Sequence, residues 1–183
     1  MEKQLERTSE KAMTSRTRLL AYTGIFAALT VVFTAYLFHI PVGMNGGYIH
    51  FGDTLIYLAA TLLPLPYALA VGALGGGIAD LLTAPMWAIA TVIIKMLIVL
   101  PFSSKGTNVL NRRNIVAPIL SFFISATGYY LAEMILFGSR AALLTAFSGS
   151  LVQSGGSAVL FYILAAAFQS SGLKKRMFYS GRR

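Results

Sequence analysis

Cysteine is absent from the chain. That excludes disulfides, zinc–thiolate sites and thiol nucleophiles, and it leaves the redox compartment open. Charge is also scarce. Only 11% of the 183 residues are charged, less than half of the roughly 25% usual in a soluble domain. Acidic residues number six and histidines two. The motifs H-E-x-x-H, G-x-S-x-G and G-x-x-x-x-G-K-[ST] are missing, so no metalloprotease, hydrolase or ATP-binding set is legible. No catalytic residue and no cofactor is expected. A chain of this kind that moves a solute needs an ion gradient or a separate motor.

What is abundant is apolar sequence, 56% of the residues. A spanning helix needs roughly 20 predominantly apolar residues. Leu19 to Ile40 supplies a first span. The next apolar run, Tyr48 to Ala84, is too long for one helix, and Pro64-Leu65-Pro66 divides it. Proline removes a backbone donor and disfavours helix in the residue before it. The division gives a short second span, Tyr48 to Leu63, and a third, Tyr67 to Thr83. Pro85 interrupts again. Met86 to Phe102 forms a fourth span, Ile115 to Phe137 a fifth and Ala141 to Phe168 a sixth. A signal peptide fits poorly, because the first apolar run is too long and five more follow. The expected fold is an all-α membrane protein, a bundle of six transmembrane helices. Residues 1–18 form an N-terminal segment, 19–170 the transmembrane domain and 171–183 a basic tail.

The net charge of +9 does not point to nucleic acid, because the basic residues flank apolar runs rather than forming a stripe. Lys3, Arg7, Lys11, Arg16 and Arg18 precede span one. Lys105, Arg112 and Arg113 separate spans four and five. Lys174, Lys175, Arg176, Arg182 and Arg183 follow span six. With six spans these thirteen of fifteen basic residues share one face, opposed only by Arg140. By the positive-inside rule that face is cytoplasmic, and so are both termini. Lys95 is intramembrane.

Glu2, Glu6 and Glu10 belong to the polar N-terminal segment. Asp53, Asp80 and Glu133 lie within or beside spans. Ionisable groups in hydrocarbon are costly and usually face a cavity or a partner. Lys95 falls about 12 Å below the outer end of span four at 1.5 Å per residue, and Gln153 lies at a similar depth in span six. The polar groups therefore gather in the outer half of the bundle, as in a pocket that opens outward. The structural alternative is an ion pair between Lys95 and Glu133, with Asp80 snorkelling from its helix end.

Gly43-Met44-Asn45-Gly46-Gly47-Tyr48-Ile49-His50-Phe51-Gly52-Asp53 is the most distinctive external stretch. It reads either as a lid over the pocket or as a loop with Asp53 capping a helix. One histidine and one aspartate are too few for a metal site. Gly72 and Gly76, spaced i, i+4, suit close helix packing, as do Gly155 and Gly156. Gly24 and Ala28 repeat that spacing in span one, and they serve either internal packing or docking of another membrane protein.

Together these features resemble the substrate-binding S components of energy-coupling factor (ECF) transporters, the vitamin importers of bacteria. The resemblance covers about Arg18 to Lys175. It rests on size, six spans and four local patterns. Thr23-Gly24-Ile25-Phe26-Ala27-Ala28-Leu29 is similar to the first-helix motif that contacts the coupling subunit, with Gly24 in place of the commoner alanine. Gly43 to Asp53 resembles the first loop, which closes over ligand. Val71-Gly72-Ala73-Leu74-Gly75-Gly76-Gly77 resembles the glycine-rich third helix. Phe147-Ser148-Gly149-Ser150-Leu151-Val152-Gln153 resembles the sixth-helix segment whose amide contacts ligand. The resemblance implies a non-enzymatic binding subunit in a bacterial cell membrane. Its implied partners are a coupling (T) component and two ATP-binding-cassette ATPases.

The stretch from Gly46 to Asp53 resembles S components for hydroxymethylpyrimidine, a thiamine precursor, or for pyridoxine-type vitamin B6. A pocket of Lys95, Glu133, Gln153, Tyr129, His50 and Asp53 would suit such rings, with hydrogen bonds at the edge and stacking on the face. The residues alone leave riboflavin and biotin open. Thiamine fits less well, because Lys95 stands where thiamine binders carry a glutamate. Two other classes remain: an autonomous secondary transporter, against which stands the lack of a visible inverted repeat, and an intramembrane enzyme.

Overall fold

The computed structural model describes residues 2–37, 39–42, 47–138 and 142–179. The glycine-rich stretch Gly43–Gly46, the lone opposing cation Arg140, and Arg182 and Arg183 of the tail lie outside the described residues. The first helix, α1, covers Glu2–Val32 and continues as a π-helical segment over Phe33–Leu37. Two short strands follow, β1 (Ile40–Val42) and β2 (Gly47–Ile49), paired antiparallel with Pro41 opposite Tyr48. The remaining helices are α2 (Asp53–Leu62), α3 (Leu65–Thr83), α4 (Ala88–Leu97), α5 (Arg112–Phe137), α6 (Ala142–Ser170) and α7 (Leu173–Tyr179).

The prolines divide the chain where the sequence suggests. Pro64 precedes α3 and Pro66 sits in its first turn, where a missing N–H costs nothing. Pro85 opens a 3₁₀ turn, Pro85–Trp87, that leads into α4. Gly138 and Gly172 take left-handed backbone at φ 64° after α5 and before α7, a helix-ending conformation in which glycine carries the least strain. Asn111 caps α5 by accepting from the Asn114 backbone N–H at 2.9 Å.

Among the described residues four stretches are long and apolar enough to cross a membrane: Arg16–Leu37, Leu65–Thr83, Arg112–Phe137 and Ala146–Ser170. The expected second span differs most. Tyr48 and Ile49 lie in β2, because Pro41 and the β-formers around it favour a strand pair, and helix begins only at Asp53. At 1.5 Å per residue, the ten residues of α2 reach about 15 Å. Every one of them is buried, as expected of a helix apolar on all sides. The fourth segment, Pro85–Leu97, is also short.

Helix α3 packs between α1 and α4, α5 pairs with α6, and α2 rests against α6. Glycines set these distances. A Cβ at Gly72 would stand 2.5 Å from the Lys95 carbonyl oxygen, and one at Gly76 would stand 2.6 Å from Lys95 Cγ. Gly75 faces Thr30 of α1 as tightly, and Gly156 of α6 faces the Phe51 ring. The core end of α2 is aromatic: Tyr57 stacks on Phe102 at 4.9 Å, and Phe161 meets both edge-on. Large apolar side chains such as Ile89, Ile135 and Leu144 point outward. Outward apolar faces and an inward polar cluster are the arrangement expected of a bundle solvated by lipid.

Candidate functional site

Four helices bring the polar cluster together. Asp53 is the first residue of α2, Lys95 lies in the last turn of α4, Gln153 in α6 and Tyr129 in α5. Lys95 Nζ approaches Asp53 Oδ1 to 2.6 Å, as an ion pair rather than an aligned hydrogen bond. Gln153 Nε2 donates to Asp53 Oδ2 at 3.0 Å. The Lys95 ammonium also lies 5.6 Å from the centre of the Tyr129 ring, within cation–π range. Tyr129 and Thr91 share a hydroxyl–hydroxyl hydrogen bond of 3.2 Å. Lys95 and Asp53 are wholly buried and Gln153 nearly so.

A second polar contact lies beside the first. The Tyr48 hydroxyl of β2 donates to Asp80 near the end of α3. Tyr48 packs against Trp87, Ala84 and Ala132, together with Tyr129 and Phe137. Trp87 meets Tyr129 at 6.1 Å and Phe137 at 5.7 Å between ring centres. The His39 ring lies 4.0 Å from that of Tyr48 and the His50 ring 5.5 Å.

His50 precedes α2, outside the spanning helices, and fixes the turn from β2 into that helix. Its Nδ1 accepts from the Gly52 N–H at 3.1 Å and faces Thr34 Oγ1 at 3.4 Å. Burial, and then the positive charge of Lys95, push its pKa down to about 3, against the opposing pull of Asp53. The imidazole is therefore neutral near pH 7. Gly52 has no room for a side chain, since a Cβ would come within 2.0 Å of Thr34 Oγ1.

The fold divides the set of residues expected at the site. Lys95, Asp53, Gln153 and Tyr129 converge, and His50 lines their edge. Glu133 lies on α5 and is only partly buried. The ion pair of Lys95 is made with Asp53, not with Glu133, because Asp53 heads α2 directly opposite the ammonium. Gly24 and Ala28 are exposed on α1, with nothing within 4 Å of a Cβ built at Gly24. No other part of the described chain packs on Gly24. Sequence reasoning missed the buried hydroxyls of Tyr57, Ser125, Ser154 and Ser157, which have no hydrogen-bond partner among the described protein groups. The i, i+4 spacing of Ser121 and Ser125 in α5, and of Gln153 and Ser157 in α6, was the available signal. Among the described residues no group of His, Asp or Glu could hold a metal ion.

Residues 14–170 match the family model of the ECF-type riboflavin transporter S component. The chain belongs to this family. A relative from Pyrococcus woesei, described as an uncharacterized protein in the gap 3′ region, is 33% identical over 116 residues. That stretch is 62% of this chain and 77% of the relative. As an ECF S component with four apolar spanning-length helices, the chain is a multi-pass membrane protein and a substrate-binding subunit for vitamin transport. Membership implies a small-molecule substrate and, in general, a T component and ATPases as partners.

Proposed function

We propose that this S component captures a small nitrogen heterocycle, hydroxymethylpyrimidine or a pyridoxine-type B6 vitamer, for an ECF importer in a bacterial cell membrane. The observation that carries this reading is the enclosed cluster of Lys95, Asp53 and Gln153 beside the Tyr129 ring. Hydrogen-bonding groups at one edge and an aromatic wall suit a compact, polar, flat ligand. Asp53, Lys95, Gln153, Tyr129 and His50 are assigned to the ligand site, with Glu133 at its margin. Both termini are placed in the cytoplasm, with the short segments at α2 and α4 completing six crossings. Gly24 and Ala28 are assigned to docking of the coupling subunit, and ATP hydrolysis to the partner ATPases.

The family's name favours a second reading, riboflavin. Mass spectrometry of small molecules that co-purify with the chain, followed by calorimetric titration with hydroxymethylpyrimidine, pyridoxine and riboflavin, decides between them. Concentrative uptake should require the coupling subunit and ATPases. Such uptake by vesicles that hold this chain alone would point to an autonomous secondary transporter and overturn the proposal.

A further inference from the structure

The buried charges of the site do not balance. Asp53 and Asp80 are both buried, at 0% and 3% exposure, against Lys95, the one buried cation among the described residues of the site. Lys95 is committed to Asp53 at 2.6 Å. His50 uses Nδ1 as an acceptor for the Gly52 N–H and brings no positive charge. Asp80 has the Tyr48 hydroxyl, a neutral donor. Lys95 acts on Asp80 only from beyond ion-pair distance, and a carboxylate without a cation in contact is costly in a low-dielectric interior. Tyr48 is bonded to Asp80, and the small buried cluster on which Tyr48 packs, Ala84, Trp87 and Ala132, also carries the rings of Tyr129 and Phe137. Aromatic faces beside a carboxylate recognise organic cations.

We infer that the ligand is bound as a cation, with an ammonium or protonated ring nitrogen directed at Asp80 between the rings of Tyr48, Trp87 and Tyr129. The inference rests on the vitamin-binding reading and narrows it. Lys95 is no obstacle to a cationic ligand, because Asp53 already neutralises its charge. Both proposed ligand types have a basic ring nitrogen able to take up a proton.

The test uses the full chain purified in detergent and two matched pairs of probes. One pair is hydroxymethylpyrimidine and its 5-aminomethyl counterpart, and the other is pyridoxine and pyridoxamine. Each pair replaces a hydroxyl by an ammonium at nearly constant shape. The ammonium member of at least one pair should bind roughly tenfold tighter, the scale of a desolvated cation–π contact. Asp80→Asn should bring that ratio close to one. Should Asp80→Asn fail to fold, Tyr48→Phe removes the neutral donor from Asp80 and should raise the ratio. Equal or tighter binding of the neutral member in both pairs overturns the inference, as does an unchanged ratio in the folded variant. Binding of riboflavin alone would overturn it too, while leaving the S-component reading intact. Binding of none of the five compounds by folded protein would overturn the pocket itself.

Discussion

Lys95 of α4 and Asp53 of α2 meet at 2.6 Å, with side-chain exposures of 1% and 0%. Two charges withdrawn from solvent depend on each other. Removing one partner of a buried pair costs about 3–5 kcal/mol, because the other is left uncompensated. Lys95→Met and Asp53→Leu are each expected to lower the thermal unfolding temperature of the purified chain strongly. The double variant should recover most of the loss. A single variant as stable as the parent would show that the two side chains do not depend on each other.

Gln153 completes the set by donating to Asp53 Oδ2 at 3.0 Å. Gln153→Leu leaves that oxygen without its donor and should weaken ligand binding by roughly 1–3 kcal/mol. Titration of the folded variant with hydroxymethylpyrimidine and pyridoxine measures this. Parental affinity for both would remove Gln153 from the site.

Much of this arrangement is legible in the sequence, and the reasons are physical. Pro64, Pro66 and Pro85 mark helix limits that the structure keeps, because each falls at or just before the first turn of a helix, whereas Pro118 lies inside α5 without ending it. Lys95 and Gln153 stand out because an ionisable or amide group inside an apolar run needs an explanation. The partner of Lys95 was not legible. Glu133 and Asp53 both have suitable depths, and the packing of α2 and α4 on α3 brings Asp53 to the ammonium. The strand pair at Pro41 and Tyr48 was hidden by hydropathy, which does not separate a short apolar strand from the start of a helix. The basic tail conceals α7, where Lys174 is buried and donates to the Asn108 carbonyl at 3.4 Å. A single lysine in a charged run gives no sign of that.

The glycines of α3 make a graded prediction. A methyl group at Gly72 would lie 2.5 Å from the backbone of α4, whereas one at Gly149 of α6 would have nothing within 4 Å. Gly72→Ala should therefore destabilise the chain by about 1–3 kcal/mol, as overpacking does. Gly149→Ala should be neutral or slightly stabilising. Thermal unfolding of both variants in one detergent checks the contrast, and equal effects would refute it.

The exposed face at Gly24 and Ala28 separates docking from binding. Gly24→Leu or Ala28→Leu should block uptake by the assembled transporter, while the isolated chain keeps its substrate affinity. Loss of affinity with normal complex assembly would assign these residues to the chain's own packing.

Acid should loosen the turn at His50. The unfolded imidazole takes up a proton near pH 6.5, whereas the buried one resists protonation down to about 3. Below about pH 6.5 the unfolded chain thus binds more protons, and stability falls with pH by up to about 1.4 kcal/mol per unit. His50→Gln should lose less stability than the parent between about pH 7.5 and about pH 5.5. Equal losses would show that His50 is not the group responsible.

The shortness of α2 bears on how the chain enters the bilayer. Ten residues cover about 15 Å of a hydrocarbon core about 30 Å thick. Pro85–Leu97 is little longer and carries Lys95 in its last turn, an ionisable group that makes insertion alone more costly. Neither segment is long enough to be retained by lipid as a single released helix. In the proposed six-crossing arrangement each is carried in by a long apolar neighbour, and both α2 and α4 pack on α3. During biogenesis α3 is then the anchor on which both halves of the Lys95–Asp53 pair gain entry, and shortening it would strand them at the membrane surface.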